Sequence, residues 1–179
     1  GGVVRVYATH GGYVRAVTHA NSISDIAVLS PDSILVLGTN TEGVSLVNAD
    51  GSGRAHTSLS FVYSPKRMIA AAGRVVVSGG RSGTLYRFDA ALHLADEVGI
   101  AAPGGDNTVC LGGDAGRQVL LSVEGTATRL CVLDRNLCTV ARFAAPSTGP
   151  SIVRDVDCDR DRRVYALSAT AVEVYALQN

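Results

Sequence analysis

The densest run of ligand-type side chains is "DVDCDRDRR" (155–163), with Asp155, Asp157, Asp159 and Asp161 at alternate positions. A calcium loop presents carboxylates in this way, with a glycine at its sixth position for the sharp turn and a bidentate glutamate at its twelfth. Here those positions hold Arg160 and Ala166, and Arg154, Arg160, Arg162 and Arg163 offset the acidic charge. The alternation has a plainer cause. In a half-buried strand Val156 and Cys158 point to the core and the aspartates to solvent. No metal site is expected. His10, His19, His56 and His93 are scattered and no two share a metal-ligand spacing, so each is expected to make local hydrogen bonds.

The four cysteines, Cys110, Cys131, Cys138 and Cys158, form no C-x-x-C pair, and no histidine lies at zinc-finger spacing. Each sits in or beside an apolar segment, which predicts buried thiols in a reducing, cytoplasmic compartment. "GGDAGR" (112–117) reads as a turn before a strand rather than the start of a helix, so it offers no phosphate cradle. Neither G-x-S-x-G nor H-E-x-x-H occurs. Neither catalytic nor cofactor-binding residues are expected.

The elements that would position these residues are strands. The 179 residues are 46% hydrophobic and 18% charged, with 20 glycines and no periodic helical stretch. Formal net charge is zero, with 15 Arg and a single Lys (Lys66), which argues against a nucleic-acid partner. No apolar run approaches the roughly 18 residues of a membrane helix, so no membrane partner is expected.

The strands repeat. The apolar cores "ILVLG" (34–38), "VVVSG" (75–79), "VLLSV" (119–123) and "VYALS" (164–168) start 41, 44 and 45 residues apart. Each is followed by a short turn and a second strand: "VSLVNAD" (44–50), "TLYRFDA" (84–90), "RLCVLDR" (129–135) and "AVEVYAL" (171–177). A further copy, "VVRVYAT" (3–9), opens the chain. Strands also precede each core, as in "ISDIAVL" (23–29) and "RMIAAA" (67–72), and follow each second strand, as in "YVRAVTH" (13–19) and "HLADEVG" (93–99). The unit is thus four antiparallel strands, a-b-c-d, joined by tight turns. Such a unit buries its faces only by stacking on copies of itself. A β-propeller of four-stranded blades meets this need at a period of 40–45 residues, whereas a β-sandwich does not predict the repeated phrase. The expected layout is a partial blade at 1–20, blades at 21–60, 61–100 and 105–145, and a partial blade at 150–179. About four blades are present, as part of a larger, for example seven-bladed, propeller.

The segment "VTHANSISDIAVLSPDSILVLGTNTEGVSLVNAD" (17–50) resembles a WD40 repeat, with His19 in the family's His slot and "IAVLSPDS" on its strand and S-P-D hairpin. "SGGRSGTLYRFD" (78–89) is similar to the family's closing phrase, with Phe88 in the Trp slot and Asp89 in the Asp slot. The chain departs from the family in having no Trp, in Thr18 before His19, and in Leu37 and Val47 at the Ser/Thr and Trp slots of the hydrogen-bonded tetrad. "RVVVSGGRSGTLYRFDAAL" (74–92) also resembles the repeat of quinoprotein-type propellers, which would imply a ligand or cofactor in a central channel.

The WD40 resemblance implies a non-enzymatic scaffold that binds other proteins, and further blades on the same or another chain, through its loops and open ends. The b–c turns "NTEG" (40–43), "RSG" (81–83), "EGTA" (124–127) and "AT" (169–170) would share one face, which makes Glu42, Arg81 and Glu124 the candidate protein-binding residues.

Overall fold

The computed structural model describes residues 2–19, 22–39, 43–48, 50–59, 65–71, 73–79, 84–99, 108–114, 119–124, 129–134, 136, 138–144, 155–159, 161, 163–167 and 171–176. Among these are seventeen strands and no helix, and hence no helix long and apolar enough to cross a membrane. The first sheet holds β1 (Gly2–Tyr7) and β2 (Tyr13–His19). The second holds β3 (Ile23–Ser30), β4 (Ser33–Gly38), β5 (Val44–Asn48) and β6 (Gly53–Thr57). The third holds β7 (Pro65–Ala71), β8 (Arg74–Gly79), β9 (Thr84–Phe88) and β10 (Leu94–Gly99). The fourth holds β11 (Thr108–Asp114), β12 (Val119–Glu124), β13 (Arg129–Leu133) and β14 (Thr139–Ala144), and the fifth β15 (Asp155–Cys158), β16 (Arg163–Leu167) and β17 (Val172–Ala176). Pairing is antiparallel, and neighbours in space are neighbours in sequence, as short turns require.

Register aligns the sheets residue by residue. Ile34 pairs with Val47, Val75 with Phe88, and Val164 with Tyr175. Side chains alternate across each strand, so every sheet has a face toward its predecessor and one toward its successor. On the second sheet Ile34, Val36 and Val47 pack against Val4 and Val17 of the first. Its opposite face, with Leu35, Leu37, Val44 and Leu46, packs against Met68, Val75, Val77, Tyr86 and Phe88 of the third. All six residues of β4 are buried, because both of its faces are covered. The first strands β3, β7, β11 and β15 lie in succession along one side of the stack.

The c–d turns share one geometry. The first turn residue donates its N–H to the carbonyl of the residue four on: Ala8 to Gly12 at 2.8 Å, Asn48 to Ser52 at 2.8 Å, Asp89 to His93 at 3.0 Å and Asp134 to Cys138 at 3.0 Å. The fourth position needs a left-handed backbone, and Gly11 (φ 88°) and Gly51 (φ 92°) supply it. In the third sheet that position is Leu92, at φ 67°. A left-handed leucine costs about 1 kcal/mol or more, and its burial in the core between the second and third sheets offsets this. Asp89 and Asp134 also accept from the N–H groups two and four residues on. Asp159 closes the β15–β16 turn with the same two bonds.

Three expectations are corrected. Gly112, Gly113 and Asp114 extend β11 and pair with Leu121, Leu120 and Val119, so "GGDAGR" is not a turn over those residues. Pairing to β12 holds the two glycines extended despite their turn preference. Cys138 is exposed rather than buried, because it closes the β13–β14 turn outside the apolar face; Cys158 is half-buried and neither is in a disulfide. The side chains of Cys110 and Cys131 lie outside the described residues.

Truncating Phe88 to Ala is expected to cost about 3–5 kcal/mol in denaturant unfolding, whereas Val174→Ala on an uncovered face changes stability by no more than about 0.5 kcal/mol. A Cβ on Gly43 (φ 108°) would overlap the Thr57 carbonyl oxygen, while one on Gly11 meets nothing. Gly11→Ala should therefore cost only the backbone strain, about 1–2 kcal/mol, and Gly43→Ala clearly more. Equal losses for the two would show that the β5–β6 contact can yield.

Candidate functional site

Of the sequence-predicted binding residues, Glu42 and Arg81 lie outside the described residues. Glu124 is the last residue of β12 and pairs with Thr108 on one side and Arg129 on the other, so its backbone belongs to the ladder and not to a turn. His56 Nδ1 lies 3.1 Å from Ser45 Oγ, and His93 Nδ1 lies 3.1 Å from Asp89 Oδ2. Ser78 is buried, with its hydroxyl 3.5 Å from the Arg67 carbonyl oxygen.

The structure assembles a different group on the first strands. Asp25 of β3 pairs with Leu37, Arg67 of β7 with Ser78, and Asp155 of β15 with Leu167. By register these are one position in three sheets, each holding a charged residue. Arg67 Nη2 donates to Asp155 Oδ2 at 3.0 Å, and Nη1 lies 3.9 Å from Asp25 Oδ1. Asp25 Oδ2 also accepts the Met68 N–H at 2.8 Å, tying the second sheet to the third through a side chain. The signal for this cluster was a charged residue recurring at one register position in the first strands of three units. Its pairing was hidden, because Arg67 and Asp155 are 88 residues apart.

A cleft of about 420 Å³ opens beside this cluster, walled by Met68, Val156, Leu167 and Val172, with Asp157 and Tyr165 at its polar side. Among the described residues, one guanidinium, that of Arg67, and three carboxylates, those of Asp25, Asp155 and Asp157, line the cleft. Asp157 Oδ1 accepts the Cys158 N–H at 2.8 Å, and Asp159 Oδ2 accepts the Tyr165 hydroxyl at 2.8 Å. The alternating aspartates are thus spent separately, on Arg67, on backbone amides and on a turn, and do not converge on one point.

Burial raises the Asp25 carboxyl above the ordinary value of 3.8, against the lowering effect of the Met68 and Ile26 amides and of Arg67. The turn residues Asp89 and Asp159 move the other way, each chiefly through a backbone amide, that of His93 and that of Arg163.

The third feature is exposure at both ends of the stack. Leu37, Val44 and Leu46, which face the third sheet, are 0%, 0% and 4% exposed, while their register equivalents in the fifth sheet, Leu167, Val172 and Val174, are 44%, 59% and 55% exposed. Val47, Phe88 and Leu133, just before the c–d turn, are 7%, 0% and 0% exposed, while Tyr7, at the same place in the first sheet, is 55% exposed. Tyr7 stacks edge-on with Tyr13, ring centroids 5.8 Å apart.

The raised Asp25 carboxyl gives a signed pH effect. The folded chain holds this proton more tightly than the unfolded chain, so this contribution to stability falls as pH rises through the window just above 3.8. Asp89 and Asp159 add stability that is present above 3.8 and is lost below it, as pH falls through their folded values. Asp25→Asn keeps an acceptor for the Met68 N–H and should leave Tm at pH 7 equal or higher, with the fall above pH 3.8 flattened. Arg67→Met, which strands two carboxylates, should cost about 1–2 kcal/mol. A loss from Asp25→Asn as large as that from Arg67→Met would reject this assignment. No protein-family model matches the chain, and no curated protein matches it.

Proposed function

We propose that this chain is a segment of a WD40-like β-propeller, a non-enzymatic intracellular scaffold that binds other proteins through its propeller faces or its open ends. The carrying observation is the contrast between equivalent positions: apolar residues buried between inner sheets recur, exposed, on the first and fifth sheets. A face built of Leu167, Val172 and Val174 has the composition of a sheet–sheet core and calls for another sheet or polypeptide to cover it. The propeller reading draws further support from the repeat of about forty residues, the four-stranded antiparallel units, the shared c–d turn, and first strands gathered on one side. Partners include further blades on the same or another chain.

A second reading is favoured by one observation, the Asp25–Arg67–Asp155 cluster beside its cleft. In a quinoprotein-type propeller such polar residues on the first strands would meet a ligand in the central channel.

A photo-reactive residue placed at Tyr7 or Val174 in cells is expected to yield polypeptide adducts, with Asn136, exposed in the β13–β14 turn, as the negative control. Adducts missing at both ends, or equally abundant at Asn136, would overturn the scaffold reading. Small-molecule adducts at Tyr165, inside the cleft, would favour the second.

A further inference from the structure

We infer that Asp25, Asp155 and Asp157 seal the inner edges of the first strands against the addition of a strand from a second copy. β3, β7 and β15 are each the outermost described strand of their sheet. An edge strand turns alternate N–H groups away from its one partner, and a row of free donors is a template for another chain. Register places Ile26, Met68 and Val156 at one level of the three edges, opposite Val36, Val77 and Ala166. Each of these three N–H groups is bonded to a carboxylate. Ile26 donates to Asp25 Oδ1 at 2.9 Å, Met68 to Asp25 Oδ2 at 2.8 Å and Val156 to Asp155 Oδ1 at 3.1 Å. Two residues along β15, Cys158 donates to Asp157 Oδ1 at 2.8 Å.

The placing of the acid groups follows from this role. In the second and fifth sheets the residue before the capped amide is an aspartate, which reaches its own neighbour. In the third sheet that residue is Arg67, whose side chain has no acceptor, and Asp25 supplies the cap from the neighbouring sheet. Arg67 in turn bonds Asp155 at 3.0 Å and lies 3.9 Å from Asp25, so its guanidinium positions both carboxylates and offsets their charge. β15 is four residues long, and its outward donors, on Val156 and Cys158, are both taken. The alternation in "DVDC" thus provides one cap for each outward amide. An extended segment could reach these edges only through the cleft walled by Met68, Ile69 and Val156. There it would meet carboxylates, and at these four positions no free donor. Charge on an edge disfavours pairing by itself, and here it also removes the donor.

Hydrogen exchange and strand association of the full 179-residue chain test this. Asp157→Ala is expected to speed exchange of the Cys158 amide by about tenfold, after correction for the neighbouring side chain, while the ladder amides of β16 stay protected. Asp25→Ala is expected to speed exchange at both Ile26 and Met68, the second 43 residues away. Asp25→Asn, with one oxygen in place of two, should free one of those two amides. Asp25→Ala combined with Asp157→Ala should shorten the lag before thioflavin T binding, relative to the unmodified chain and to Val77→Ala. Val77 is buried, so its truncation weakens the core without touching an edge cap. Asp32→Ala removes an exposed carboxylate in the β3–β4 turn and should leave the lag unchanged. Unchanged exchange at Cys158 in the first variant, or at both Ile26 and Met68 in the second, would overturn the proposal. A lag no shorter than that of Val77→Ala would also overturn it, by showing that the carboxylates stabilise the strands without guarding them.

Discussion

The constraint on which this architecture depends is that its second sheet is apolar on both faces. β4 is buried along its whole length, with Ile34 and Val36 serving one neighbour and Leu35 and Leu37 the other. A sheet of this kind cannot rest one side in water. It must be stacked, and stacking on a copy of itself satisfies copy and original at once. The repeat of the strand phrase, the shared c–d turn and the aligned registers follow from this need. Each sheet must offer the same two surfaces at the same height.

That constraint also separates what was legible in the sequence from what was not. Segments such as "VSLVNAD" and "TLYRFDA" contain β5 and β9, because alternation and turn residues are local signals that the sheet reinforces. Asp89 was legible as a strand end because its carboxylate accepts the amides of its own turn. Gly112 and Gly113 misled, since a strand partner overrode their turn preference. Glu124, expected in a turn, is the last ladder residue of β12. The Asp25–Arg67–Asp155 cluster was not legible as a site. Its members come from three different sheets, and only the stack brings them to one level. The exposure of Leu167 and Val172 was equally hidden, because their residue types match those of buried equivalents.

The charge layer and the apolar faces divide the work between them. The apolar contacts are broad and alike from sheet to sheet, and they tolerate any neighbour of the right shape. The Asp25–Met68 bond and the Arg67 bridges are single, directional contacts between particular strands. They join β3 to β7 and β7 to β15 at single points. Burying Asp25 is the cost of the first of these.

Leu92 links a local turn to distant packing. Its left-handed backbone is unfavourable for a free peptide and becomes tolerable once its side chain enters the core between the second and third sheets. The turns at Gly11 and Gly51 carry no such penalty. The β1–β2 and β5–β6 turns therefore need no distant packing to offset a strained backbone. The β9–β10 hairpin gains its full stability only when the second sheet is already in place. One residue thereby ties the stability of a local turn to the presence of a neighbouring sheet.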